Sequence, residues 1–264
     1  MHLKYFVGHK KPEFALWKDF IFFEITNEYK AHKLSGSLFS ANYLNDKIFG
    51  EYSSLFALRH SLKNQKYEAD DLITICQYRR FVLNKKMGQQ SINAPWCMVL
   101  TQNEIENTSI QNEILPINHS SYLIGSAIKI DSNMNFYAQF HFLRDILRFT
   151  SILIDLEILT DEDAFNFLNQ EFLIPSPSCG TFTIRTFISI LDKLEEAAKG
   201  FWNSGYRPYE NEYQCRVVGF LLERLNSFLL ISECLKHTKD MSNLIGFTTI
   251  ISETLDISRG KVDA

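Results

Sequence analysis

No C-x-x-C pair occurs among the five cysteines of this 264-residue chain (Cys76, Cys97, Cys179, Cys215 and Cys234), and their number is odd. That argues against a disulfide frame or a cysteine-built zinc site and for free thiols in a reducing cytoplasm. No run of about 18 apolar residues exists, so no transmembrane helix is expected. The stretch Met1–Gly8 is too short in its apolar part for a signal peptide. There is no basic excess: 27 Lys and Arg stand against 31 Asp and Glu, for a formal charge of -4. A nucleic-acid binder normally carries a basic field, so none is expected as partner. G-x-S-x-G, G-x-x-x-x-G-K-[ST], H-E-x-x-H and G-x-G-x-x-G are all missing. Their absence lowers the case for a serine hydrolase, P-loop nucleotidase, zincin or Rossmann dehydrogenase.

What is present is an ample core. Hydrophobic residues make up 45% of the chain and charged ones 22%, while 22 Phe and 11 Tyr raise the aromatics to 14%. These rings suffice to fill a core and line one carbohydrate- or base-sized cleft, with a membrane-surface contact as the alternative. No repeat, low-complexity tract or convincing linker breaks the chain. One domain over 1–264 is expected, with 258–264 as a frayed tail.

The sharpest local signal is Asp71-Leu-Ile-Thr-Ile-Cys-Gln-Tyr-Arg-Arg-Phe81. Leu72–Cys76 is a short, β-branched apolar run, as in an inner strand of an α/β sheet. Ligands of such sheets sit beyond the carboxyl ends of the strands. Arg79 and Arg80 are therefore placed to grip an anion such as a diphosphate. The competing reading pairs one arginine with a carboxylate and leaves the other in water. Leu3–Val7 reads as a first strand ending at His9, Lys10 and Lys11, which puts further cations near that edge. Gly50–Lys63 reads as a helix, and the β…α-β order points to a parallel, helix-flanked sheet.

Further on, 84–120 is expected to wander over the surface with a short strand at Trp96–Leu100. A long helix over Asn135–Glu157 would put His141 and Asp145 on one side, either to position a base or as a plain surface helix contact. Thr160 caps a helix over Glu162–Glu171, which explains Asp161-Glu162-Asp163 better than a D-x-D metal motif does. Pro175–Gly180 is a loop, Thr181–Ile184 a strand, and Arg185–Phe201 a helix. Gly246–Ser252 could be a strand or a short helix. Asn211–Lys236 is a helix apolar on most faces, so Glu223 and Arg224 must find partners or face a cleft. Asp70 and Asp71 open the Leu72 strand and so sit at the wrong edge. The favoured edge offers Gln77 and arginines, an anion site neutralised by cations with no metal ligands.

Phe6-Val-Gly-His-Lys-Lys-Pro12, Gly50-Glu-Tyr-Ser-Ser-Leu-Phe56, Cys76-Gln-Tyr-Arg-Arg-Phe81, His141 with Asp145, and Arg216-Val-Val-Gly-Phe-Leu-Leu-Glu-Arg-Leu225 follow in order. In this the chain resembles a family of bacterial capsular, exopolysaccharide and O-antigen glycosyltransferases that includes galactofuranosyltransferases. Gln77 stands where that family usually carries His. The resemblance implies a GT-A-like α/β fold: a mostly parallel central sheet flanked by helices, with a long buried C-terminal helix. It implies transfer of a hexose, galactofuranose among the candidates, from a UDP-sugar to a saccharide or lipid-linked glycan acceptor. The work would be cytoplasmic, at the inner face of the membrane or beside other polysaccharide-assembly enzymes. Donor contacts would come from His9, Lys10, Glu51, Gln77, Arg79, Arg80 and Arg224. Asp145 with His141 would act on the acceptor, with Glu223 as the rival base. No cofactor is expected beyond the donor, and a divalent Mn or Mg ion is disfavoured. The alternative is a catalytically degenerate nucleotide-sugar or glycan-binding module of the same fold.

Overall fold

The computed structural model describes residues 1–8, 11–12, 17, 19–23, 46–63, 65–68, 70–107, 110–116, 120–207, 209–238 and 240–257. His9, Lys10 and the 258–264 tail lie outside the described residues. The amino-terminal half holds strands β1 (His2–Val7), β2 (Ile21–Phe23), β3 (Leu72–Cys76), β4 (Arg80–Leu83), β5 (Gln89–Gln90) and β6 (Cys97–Leu100). Helices α1 (Asp46–Phe49), α2 (Tyr52–Lys63) and α3 (Gln102–Asn107) interrupt them. The remainder holds β7 (Leu123–Gly125), β8 (Ile128–Lys129), α4 (Asn133–Ala138), α5 (Leu143–Asp155), α6 (Asp161–Asn169) and β9 (Phe172–Leu173). It closes with β10 (Gly180–Thr183), α7 (Ile184–Asn203), α8 (Val217–His237) and β11 (Ile245–Ile251).

Among the described residues the main sheet runs β2-β1-β3-β10-β7-β11-β6-β5, with β4 on β11. The pairs β1–β2, β1–β3, β7–β11 and β6–β11 are parallel. Strand β10 runs antiparallel to both its neighbours, β3 and β7, while β4 and β5 are antiparallel additions. The expected α/β class, mostly parallel sheet and long carboxy-terminal helix are all observed.

Side-chain alternation divides the core into two layers. Ile73 and Ile75 of β3 face a large cluster built with α2, α5, α7 and α8. Cys76 joins Phe6, Phe81, Leu100 and Ile105 on the other face. There the Thr74 hydroxyl meets the Thr181 hydroxyl at 2.7 Å, tying β3 to β10 across the reversed pair. Helix α2 is fastened to α7 by Arg59, which reaches Asp192 and the buried Glu195. Asp71, at the opposite edge, accepts the Glu68 amide at 2.8 Å.

Several expectations need correcting. The helix expected over 135–157 is two helices broken at 139–142, so His141 is in the turn and does not share a helix with Asp145. Gln214 causes the break: its Nε2 donates to the Phe140 carbonyl at 2.9 Å, and its Oε1 lies 3.2 Å from His141 Nδ1. Tertiary bonds thus replace helical ones. Within 84–120 the expected short strand is present as Cys97–Leu100, buried throughout and paired with β11, because an all-apolar strand is most stable inside. The described residues of this stretch also hold β5 and helix α3, which were not expected. Residues 211–216 precede α8, which begins only at Val217 after a short 3-10 turn over Gln214–Arg216. Ile245–Ile251 is a strand. Thr160 caps α6 with a full capping box to Asp163.

Gly180 opens β10 at φ +142°, and a Cβ there would stand 2.3 Å from the Leu123 carbonyl oxygen. A side chain is thus excluded both by backbone conformation and by space. Gly180→Ala is expected to cost about 2–4 kcal/mol of stability, measured by urea unfolding. A loss under about 0.5 kcal/mol, the usual range for a surface substitution, would contradict this close approach.

Candidate functional site

The site forms where β3 ends. Gln77 follows Cys76 and closes a tight turn with Arg80, Gln77 N donating to Arg80 O at 2.7 Å and Arg80 N to Gln77 O at 3.2 Å. The chain therefore reverses at once into β4, and the two arginines leave the turn into different surroundings. Arg79 is exposed, its guanidinium over the Tyr78 ring at 5.4 Å. Arg80 is half-buried, and its Nη1 donates to Ser176 Oγ and, at 3.5 Å, to Gln77 Oε1.

Because β10 is antiparallel to β3, its starting end lies at the finishing end of β3, and the preceding loop arrives there too. That loop supplies Ser176 and Ser178. Glu51, just before α2, is brought to the same point by the seating of α1 on α8. Gly219 of α8 allows this, since a Cβ there would press the Phe49 carbonyl at 3.3 Å. Glu51 is held on both oxygens: Gln77 Nε2 donates to Oε2, and Ser178 Oγ donates to Oε1. Glu223 of α8 completes the cluster, its Oε1 accepting the Ser176 amide at 3.1 Å. Ser176 sits at φ +55°, a left-handed conformation uncommon outside glycine, clamped by Arg80 on its hydroxyl and Glu223 on its amide.

Loss of water around the Glu51 carboxyl pushes its pKa up, and the nearby Glu223 adds to the rise; Ser178, Arg80 and Gln77 pull the other way. The Cys179 thiol, buried beneath the loop and facing the Arg80 carbonyl at 3.8 Å, is also pushed up by burial. This is the setting of a structural thiol, because the reactive form is the thiolate. Among the described residues, no three side chains of His, Cys, Asp or Glu are grouped to hold a metal ion.

The remaining candidates lie one layer away. Arg224, buried beside Glu223, packs its guanidinium over Phe136 and Tyr137 at 5.3 and 5.2 Å. His141 stacks parallel to Tyr213 at 5.2 Å and against Phe220 at 4.4 Å. Asp145 is buried and accepts the Tyr209 hydroxyl at 3.0 Å, with burial raising its pKa. The structure thus brings together Glu51, Gln77, Arg80 and Glu223, and holds His141 and Asp145 in a separate aromatic layer. Ser176 and Ser178 were missed, since Pro175–Gly180 read only as a loop. The two serines flanking Pro177, just before a strand, were the available signal.

No family model and no curated protein matches the chain. Among solved structures, a chain of the WbbM bifunctional glycosyltransferase in its apo form superposes with a TM-score of 0.69. The fold is that of a glycosyltransferase. The identity is 14%, and the match covers 94% of this chain and 45% of that one, so this chain spans less than half of its neighbour. Likeness at that identity concerns architecture alone.

A carboxyl whose folded pKa is raised above its unfolded value lowers stability at neutral pH, and that loss disappears as pH falls through the folded value toward the ordinary carboxylate range. Glu51→Gln is therefore expected to melt above the wild type at neutral pH. The gap should narrow as pH falls toward about 4, the ordinary carboxylate range. Parallel melting curves across that range, or a variant less stable than wild type at neutral pH, would contradict the assignment.

Proposed function

We propose that this chain is a glycosyltransferase moving a hexosyl group from a UDP-sugar to a saccharide or lipid-linked glycan acceptor. The observation that carries the reading is Arg80: a half-buried guanidinium at the end of a central strand, hydrogen-bonded with Gln77 and a loop serine beside Glu51. The glycosyltransferase fold supports it.

In this reading Arg80 takes the donor diphosphate and stabilises the charge that grows on the leaving UDP. Arg79 serves the exposed rim, and His9 and Lys10 the nucleotide side. Glu51 and Gln77 orient the sugar hydroxyls. The bond from the sugar's anomeric carbon to the β-phosphate oxygen breaks with its electron pair going to UDP. The acceptor oxygen bonds that carbon, and its proton passes to a carboxylate. Glu223 is the favoured acceptor of that proton, because it shares the Ser176 loop with Arg80. Asp145, with His141 beside it, is the rival, and Arg224 positions Glu223. No described helix is long and apolar enough to cross a membrane. Work in the cytoplasm at the inner membrane face remains part of the proposal.

A thermal-shift series of UDP, GDP, CMP and ATP, followed by donor turnover, tests the class. UDP should raise the melting point most. Arg80→Lys should lower kcat/KM by about 100-fold, with a smaller loss of UDP affinity. Glu223→Gln should lower kcat by about 10²–10⁴-fold, and Asp145→Asn by less than about tenfold. A UDP shift without turnover on any UDP-hexose would mark a binding module instead. Turnover abolished by EDTA and restored by Mn²⁺ would give the diphosphate to a metal as well as to Arg80.

A further inference from the structure

One face gathers four exposed large apolar side chains beside two arginines. The turn between α4 and α5 and the first turns of α5 leave Phe140, Phe142, Leu143 and Leu147 exposed at between 43% and 51%. Leu143 and Leu147 are four apart, as are Arg144 and Arg148, so α5 carries an apolar row beside a cationic one. Asp145 is the one acid between 138 and 150, and it turns inward to Tyr209. Arg144 is 72% exposed; its guanidinium lies over Phe142 at 5.1 Å and Tyr209 at 5.5 Å, with an Asp145 oxygen 4.0 Å from its Nε. Arg148 donates to a neutral acceptor, the Ser204 carbonyl.

We propose that this face seats the protein on a bilayer surface containing anionic lipid. Exposed phenylalanines and leucines flanked by arginines suit the interfacial layer: the apolar side chains enter the acyl boundary and the guanidiniums reach the phosphates. A saccharide platform fits less well. Sugars have no use for two aliphatic side chains, and the Arg144 guanidinium already lies over the rings of Phe142 and Tyr209. The chain as a whole carries -4, so an anionic surface would repel it unless such a face were presented. The face is also close to the proposed chemistry. Phe136 and Tyr137 of α4 pack on Arg224, the neighbour of Glu223. If the transferase reading holds, an acceptor anchored in the bilayer approaches the Glu223 side.

The test is vesicle flotation of the full chain on phosphatidylcholine alone and with about one-third phosphatidylglycerol, a strongly anionic surface. Binding should be at least tenfold greater on the anionic vesicles. Arg144→Gln with Arg148→Gln should lose about fivefold per arginine, and Leu143→Ser with Leu147→Ser should lose most of the rest. Phe140→Ser serves as the replacement should either pair fail to fold, judged by melting temperature. Wild type absent from anionic vesicles, or variants binding like wild type, would overturn the proposal. So would a wild-type dimer in sedimentation that the leucine pair turns monomeric, since a second copy would then cover the face. The melting response to UDP is read separately, so failure here and failure of the transferase reading are distinguishable.

Discussion

The reversal of β10 between two parallel strands governs the architecture of the site. A strand entering from the opposite direction delivers its preceding loop to the edge where β3 finishes. Two segments about a hundred residues apart in sequence thereby meet within hydrogen-bonding distance. The Thr74–Thr181 bond fixes the lateral register of that meeting. Gly180 lets the backbone approach the Leu123 carbonyl closely where that loop enters β10.

Two carboxylates, one guanidinium, an amide and two hydroxyls share this edge, and their arrangement explains their electrostatics. Among the described residues Glu51 is hydrogen-bonded by the neutral donors Gln77 and Ser178, and these with the charge of nearby Arg80 offset only part of its desolvation. Arg80 is likewise bound to neutral acceptors rather than to a carboxylate. A cation kept among hydroxyl and amide partners retains its capacity for an incoming anion, whereas a tight ion pair would spend it. The left-handed Ser176 belongs to the same design, with its amide on one charged side chain and its hydroxyl on the other.

The sheet was legible where hydrophobic pattern alone decides. Leu72–Cys76, the α2 helix and the α6 cap follow from local chemistry, and Arg80 follows from strand polarity, whereas Glu51 was suggested only by the family resemblance. The pattern failed where distant contacts compete with local ones. Nothing in Asn135–Glu157 announces a break, because Gln214, far along the chain, takes the Phe140 carbonyl. The loop serines were invisible as site residues because their placement depends on β10 being antiparallel, and four residues do not encode strand direction. The adjacency of Arg79 and Arg80 in sequence did not carry over to their surroundings, since a tight turn sends neighbouring side chains apart.

Gln77 has a consequence of its own. Its amide gives a hydrogen to Glu51 and receives one from Arg80, so a single uncharged group links an acid to a base. An imidazole at that position would also give and receive, but protonation would turn its accepting nitrogen into a donor and set it against the arginine. Glutamine has no such second state. The polarity of this relay is therefore the same in acid and alkali, and any pH sensitivity of the edge must originate in the carboxyl groups it serves.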